Sequence, residues 1–155
     1  MKTLIVYASK SGTTEKCAQI LAEKLSADVK DAGKEKIDIE GYDTVIIGSS
    51  IRMGRIQKSV KDFIDKNIGL LLKKKIGLFI CCGFTENANQ FFSANFPQNL
   101  LDSAIAKECF GGELDKNKLH GLDKIIAGMV TKTDPNRPAP KILLENINKL
   151  AASCR

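Results

Sequence analysis

Unbroken apolar runs, set apart by helix-patterned stretches, most constrain what this chain can fold into. Leu4-Ile5-Val6-Tyr7, Val45-Ile46-Ile47 and Ile76–Cys82 are continuously hydrophobic rather than alternating. That is the pattern of strands covered on both faces. Over 13–25, Cys17, Ala18, Ile20, Leu21 and Leu25 share one helical face, while Glu15, Lys16, Gln19, Glu23 and Lys24 take the other. Val60, Phe63 and Ile64 mark a second helix by their spacing, and Ala88–Asn95 reads as a third, with Phe91, Phe92 and Phe96 as core. Pro97 opens a further turn carrying Leu100 and Leu101, and Pro140 suits the first turn of a last helix burying Leu143, Ile147 and Leu150. Val29 marks a short second strand, and Ala106–Leu114 a last strand bent at Gly111-Gly112. Leu119–Val130 suits a short amphipathic helix, and 134–140 a loop. Strand and helix alternate throughout, which predicts an α/β fold with a parallel sheet between helical layers.

Length and composition are compatible with one domain over residues 1–155. The chain has 155 residues, 43% hydrophobic and 27% charged, enough for a sizeable core. No apolar run approaches the ~20 residues of a membrane-spanning helix. The chain begins directly in a strand, leaving no room for a leader, so a cytoplasmic protein is expected. Cys17, Cys81, Cys82, Cys109 and Cys154 form no C-x-x-C pair, and His120 is the sole histidine. Buried thiols, rather than a metal centre or a disulfide framework, are the expectation. Cys81 and Cys82 are successive strand residues and so face opposite ways.

The connection after the first strand reads Ser9-Lys10-Ser11-Gly12-Thr13-Thr14. A strand-to-helix turn aims the unpaired N–H groups of a helix N-terminus at its surroundings, and these bind anions. Here four hydroxyls and a glycine accompany them. Hydroxyls donate to phosphate oxygens, and Gly12 lets the backbone close around such a group. The run is neither Gly-Lys-Ser/Thr nor Gly-x-Gly-x-x-Gly. Two more loops follow strand ends: Gly48-Ser49-Ser50-Ile51-Arg52-Met53-Gly54-Arg55, and Cys82-Gly83-Phe84-Thr85-Glu86-Asn87. Three such loops at the carboxyl ends of parallel strands outline one ligand site.

The Ser/Thr-rich turn resembles the phosphate loop of flavodoxins, and nearly all of 1–155 resembles a flavodoxin-family domain. Tyr42-Asp43-Thr44-Val45-Ile46-Ile47-Gly48-Ser49-Ser50-Ile51-Arg52-Met53-Gly54 is most similar to the flavodoxin-type protoporphyrinogen IX dehydrogenases. Those enzymes carry a similar "YD-x-V-x-IG-x-SIR-x-G" run, oxidise protoporphyrinogen with bound FMN and pass electrons to quinones. The resemblance implies a three-layer sandwich with a five-stranded parallel sheet in the order 2-1-3-4-5. It also implies FMN, with Ser9, Lys10, Ser11, Gly12, Thr13 and Thr14 on the phosphate. Ser49, Ser50, Ile51, Arg52, Met53 and Gly54 would then flank the ring, as would Cys82, Gly83, Phe84, Thr85 and Asn87. Met53-Gly54 resembles the Met-Gly pair of short flavodoxins, where a peptide flips so that a carbonyl accepts a hydrogen bond from reduced flavin. The chain departs from the family in lacking Trp, which leaves Phe84 and Met53 as ring neighbours, and the 116–133 connection contains no aromatic residue.

Charge separates the functional alternatives. Residues 51–82 hold 8 Lys/Arg against 2 Asp/Glu, which accounts for the whole formal net charge of +6. Arg52, Arg55 and Lys58 follow the third strand, whereas Lys73-Lys74-Lys75 precede the fourth and belong to the opposite end of the sheet. A cation about 6 Å from reduced, anionic flavin is worth roughly 2–3 kcal/mol at an effective dielectric of about 20. Arg52 and Arg55 therefore raise the expected potential, or meet an anionic substrate. The excess is too modest, and too poor in aromatics, for nucleic-acid binding. An electron carrier with a redox partner protein, an oxidoreductase acting on a small molecule or quinone, and a cofactor-free sensor domain all stay open.

Overall fold

The computed structural model describes residues 2–10, 12–83, 85–112 and 142–155. In chain order these form β1 (Thr3–Ala8), α1 (Thr13–Leu25), β2 (Asp28–Asp31), β3 (Thr44–Arg52), β4 (Arg55–Ile56) and α2 (Lys58–Leu71). They continue as β5 (Lys75–Cys81), a 3-10 turn at Thr85–Asn87, α3 (Ala88–Asn95), α4 (Gln98–Ser103), β6 (Ala104–Cys109) and α5 (Leu144–Cys154). The sheet runs β2-β1-β3-β5-β6, all parallel, with β4 antiparallel on the far end of β3. Setting that two-residue strand aside, the parallel strands follow the predicted order 2-1-3-4-5.

Alternation along the central strands feeds two cores. Leu4, Val6, Val45, Ile47, Leu78 and Ile80 pack with Val60, Phe63 and Ile64 of α2, Phe92 of α3 and Leu100 of α4. Ile5, Tyr7, Ile46, Phe79 and Cys81 pack with Cys17 and Leu21 of α1 and Ile147 and Leu150 of α5. Continuous hydrophobicity is required because both faces are covered. Each fully buried Leu, Ile or Phe contributes about 1.5–3 kcal/mol. Cys81 and Cys82 fall on opposite faces, as alternation predicts.

Gly48 sits inside β3 for a steric reason. A Cβ there would lie 1.9 Å from the Phe79 ring, which stacks on Phe110 with centroids 4.5 Å apart. Other boundaries differ from the sequence reading. β3 does not end at Gly48 but continues to Arg52 and turns back through Met53 and Gly54. Their φ values of 54° and 77° place both residues in the left-handed region, a two-residue turn that suits the right-handed twist of the strands, so Arg52 opposes Arg55 and Ile51 opposes Ile56. The last strand starts at Ala104 and stops at Cys109, where the chain leaves for Gly111 at φ 73°. The last helix begins at Leu144. Pro140, His120, the expected helix at Leu119–Val130, the rest of 116–133 and the loop at 134–140 lie outside the described residues.

Candidate functional site

The carboxyl ends of β1, β3, β5 and β6 share one edge of the sheet, and chain order reverses between β1 and β3. Open parallel sheets bind ligands at such a reversal. At the end of β1, Gly12 caps α1 with φ 96°, a left-handed conformation, and α1 carries no side-chain cap. The Gly12 N–H donates to Ser9 Oγ at 2.9 Å, and the Gly12 carbonyl accepts from the Lys16 N–H at 3.1 Å. A helix opening in this way leaves its first amides to a ligand and carries partial positive charge. Ser9 and Thr13 are half-buried and Lys10 is exposed. Ser11 lies outside the described residues.

Thr14 is fully buried, and its Oγ1 has no hydrogen-bond partner among the described residues. A buried hydroxyl left in that state costs about 1–3 kcal/mol. The Cys81 thiol on the same side of the sheet is pushed well up by Cys17 and by burial. Burial, helped by the carboxylates of Glu15, Asp31 and Glu35, pushes Tyr7 of β1 up to about 12.

The hairpin after β3 is tied from inside. Ser49 Oγ accepts from the Gln57 N–H and donates to the Ser50 carbonyl, both at 2.9 Å. Ser50 Oγ accepts from Gln57 Nε2 at 3.0 Å. These two hydroxyls therefore fasten β3 to the start of α2. Ile51 and Arg52 are half-buried, while Met53 at the apex is 70% exposed. Asn95, at the end of α3, clamps the turn. Its Nδ2 donates to the Gly54 carbonyl at 2.9 Å and to the Phe91 carbonyl at 2.8 Å, and its Oδ1 accepts from the Ile56 N–H at 3.1 Å. Sequence reasoning missed Asn95, since nothing local distinguishes it from any polar residue near a helix end.

The third loop starts with Cys82, which is buried. Gly83 and Thr85 are exposed, Asn87 is half-buried, and Phe84 lies outside the described residues. Cys82 Sγ stands 3.5 Å from Cys109 Sγ, a pairing that sequence separation concealed. Hydrogen bonding from Cys82 holds the Cys109 thiol down to about 7 against the opposing effect of burial, with help from the N–H groups of Gly111 and Cys82. Lys74 and Lys75 do lie at the other end: Lys74 Nζ donates to the Tyr42 carbonyl and Lys75 Nζ to the Arg155 carbonyl. No cluster of three metal-ligating side chains occurs among the described residues. Nor is any described helix long and apolar enough to cross a membrane.

Residues 4–139 match the family model described as a flavodoxin domain. An uncharacterized protein of Methanocaldococcus jannaschii is 34% identical over 141 residues, covering 88% of this chain and 89% of its own. The protoporphyrinogen IX dehydrogenase (quinone) of Escherichia coli K12 is 37% identical over 73 residues, covering 43% of this chain and 40% of that enzyme. Among solved structures, a flavoprotein of Lactobacillus acidophilus in complex with FMN is similar at a TM-score of 0.57 and 19% identity. That likeness covers 70% of this chain and 92% of the other, and it concerns the fold. The match to the dehydrogenase spans less than half of that enzyme.

Proposed function

This chain belongs to the flavodoxin family of domains, and from that premise we propose that it binds FMN at the carboxyl edge of its sheet and transfers electrons. The observation that carries the reading is Thr14 Oγ1, a buried hydroxyl without a partner in the first turn of an uncapped helix. An anionic oxygen at that turn would remove the cost of the orphan group and meet the helix dipole. Ser9, Lys10, Ser11, Gly12, Thr13 and Thr14 hold the phosphate. Ser49 to Gly54 flank one side of the ring, and Cys82, Gly83, Phe84, Thr85 and Asn87 the other. When bound, FMN supplies the redox chemistry. The chain supplies position and potential. Arg52 and Arg55 stand opposite each other on the hairpin, where their charge favours reduced, anionic flavin. Asn95 fixes the Gly54 carbonyl, so turning that peptide toward the ring means giving up a hydrogen bond.

A second reading, an oxidoreductase like protoporphyrinogen dehydrogenase passing electrons to a quinone, is favoured by the 73-residue match and by the same arginines. Guanidinium groups suit the carboxylates of an anionic substrate. In the carrier reading the partner is a redox protein.

Fluorescence titration of the purified protein with FMN tests the site. Thr14→Val should weaken FMN binding about tenfold, the equivalent of ~1.4 kcal/mol, and should weaken riboflavin binding far less. Equal loss for both ligands would remove the phosphate from Thr14, and no FMN binding at all would end the reading. Turnover of protoporphyrinogen with a quinone then separates enzyme from carrier.

A further inference from the structure

The carboxyl edge brings together two thiols, one of them on Cys82 in the loop proposed to flank the ring, whose own chemistry the flavin reading leaves unassigned. Cys82 directly follows β5 and Cys109 ends β6, with their sulfurs 3.5 Å apart. Register explains the meeting. Ile80 pairs with Cys109, and Cys82 shares the face of Ile80, so it is the diagonal neighbour across the strands. A disulfide bond is ~2.05 Å long, leaving about 1.5 Å to close. The backbone beside both residues is built of glycine. Gly83 follows Cys82, while Gly111, at φ 73°, and Gly112 follow Phe110. A Cβ on Gly112 would stand 3.5 Å from the Cys82 carbonyl carbon, so the two segments are in contact and free of intervening side chains.

We propose that Cys82 and Cys109 form a peroxide-oxidisable dithiol that closes to a disulfide linking the ends of β5 and β6. Cys109 is the attacking group. Its thiol, held down to about 7 by Cys82 and two backbone N–H groups, is ionised to a large extent near neutrality, unlike an ordinary thiol at ~8.5. Its sulfur attacks one oxygen of hydrogen peroxide. The S–O bond forms, the O–O bond breaks, and the departing hydroxide is protonated to water. The Cys82 sulfur then attacks the sulfenic acid: the S–S bond forms, the S–O bond breaks, and a second water leaves with the Cys82 proton. Two thiols and one peroxide become one disulfide and two waters, and the sulfur pair loses the two electrons that peroxide gains. Cys82 and Cys109 are each 7% exposed, which admits a small oxidant and excludes a bulky disulfide. The remaining cysteines provide the contrast. Cys81 is pushed up by Cys17 and burial, and Cys154 is pushed up to about 11 by burial. Both are therefore protonated and slow.

Peptide mapping of the native protein after peroxide treatment and a denaturing alkylation quench tests the pair. The expected product is a reductant-cleavable cross-link between the Cys82 and Cys109 peptides, with Cys17, Cys81 and Cys154 recovered alkylated. Cys82→Ser should abolish the cross-link and leave a dimedone-reactive Cys109, whereas Cys109→Ser should slow thiol oxidation at least about tenfold. Recovery of all five cysteines as thiols, or oxidation spread among them without that cross-link, overturns the proposal. The wild-type map decides alone if a variant misfolds. Cross-linking is expected with and without added FMN, so failure here and failure of FMN binding are separate results.

Discussion

The two ends of one sheet use their polar groups in opposite ways. At the amino edge three lysines are tied within the chain. The Lys2 N–H donates to Asp43 Oδ2 at 2.9 Å, the Lys2 ammonium lies 4.8 Å from the Tyr42 ring centroid, and Lys74 and Lys75 cap backbone carbonyls. The buried Thr44 Oγ1 has no hydrogen-bond partner among the described residues. At the carboxyl edge Gly12, Met53, Gly54 and Gly111 all have positive φ, α1 opens without a side-chain cap, Met53 is exposed, and two thiols touch. Most of the left-handed turns and the touching thiols gather at this edge, while the other edge has Ser26 at φ 52° and uses Lys74 and Lys75 to hold backbone carbonyls. Net charge alone would have assigned both clusters to one partner surface. The lesson is that a positive segment divides by strand direction before it means anything.

The largest expected effect breaks the sheet on which that contrast rests. Gly48→Ala should lower unfolding stability by about 3 kcal/mol, since Phe79 cannot retreat from its stack on Phe110. Gly41→Ala, where nothing lies within 4 Å, should cost far less. Urea denaturation of the two variants decides. Next in size is Gly12→Val at the turn proposed to hold phosphate. Left-handed strain should cost about 1–2 kcal/mol and FMN affinity should fall about tenfold or more. Lys74→Met at the other edge should leave that affinity unchanged. Equal effects of the two on FMN binding would erase the distinction between edges.

Asn95→Ala removes the clamp on the hairpin and should lower stability by about 1–2 kcal/mol. In the FMN-loaded protein it should also shift the one-electron potential, because the Gly54 carbonyl would be released; potentiometry with an unchanged value would make Asn95 purely structural. The smallest effect is on alkaline stability. Tyr7 at the carboxyl half of β1 has a phenol raised to about 12 by burial, whereas Tyr42 at the amino edge is raised first by its hydrogen bond to Asp28. A group whose pKa rises on folding contributes stability that is whole below its unfolded pKa of about 10 and lost as pH climbs through the folded value. Stability should therefore decline between pH ~10 and about 12. Tyr7→Phe should remove part of that decline, as measured by denaturation at a series of pH values.

Local patterns made much of the fold legible. Helix α1 spans Thr13–Leu25 as its apolar face predicts, and the central strands lie where the unbroken runs place them, because burial on two faces leaves a mark in every residue. The strand-to-helix turn at 9–14 was equally readable as a turn, since glycine at such a junction has a local purpose. The β3–β4 hairpin was not. Its signal was two residues, Met53-Gly54, and the Asn95 side chain that clamps it comes from α3, 41 residues from Gly54. The internal bonds of the Ser49 and Ser50 hydroxyls to Gln57 and to the Ser50 carbonyl were equally hidden, since spacing does not show which partner a hydroxyl takes.

What the amino-acid order determined by itself was periodicity: which segments are strands or helices, which faces turn inward, and that loops rich in hydroxyls follow strand ends. Packing alone decided which distant residues meet, because register and crossover handedness bring β5 beside β6 and α3 under the hairpin. The Cys82–Cys109 contact and the Asn95 clamp are products of that second step. Neither is encoded in neighbours along the chain, since the forces that create them act between elements that touch only after the sheet has formed.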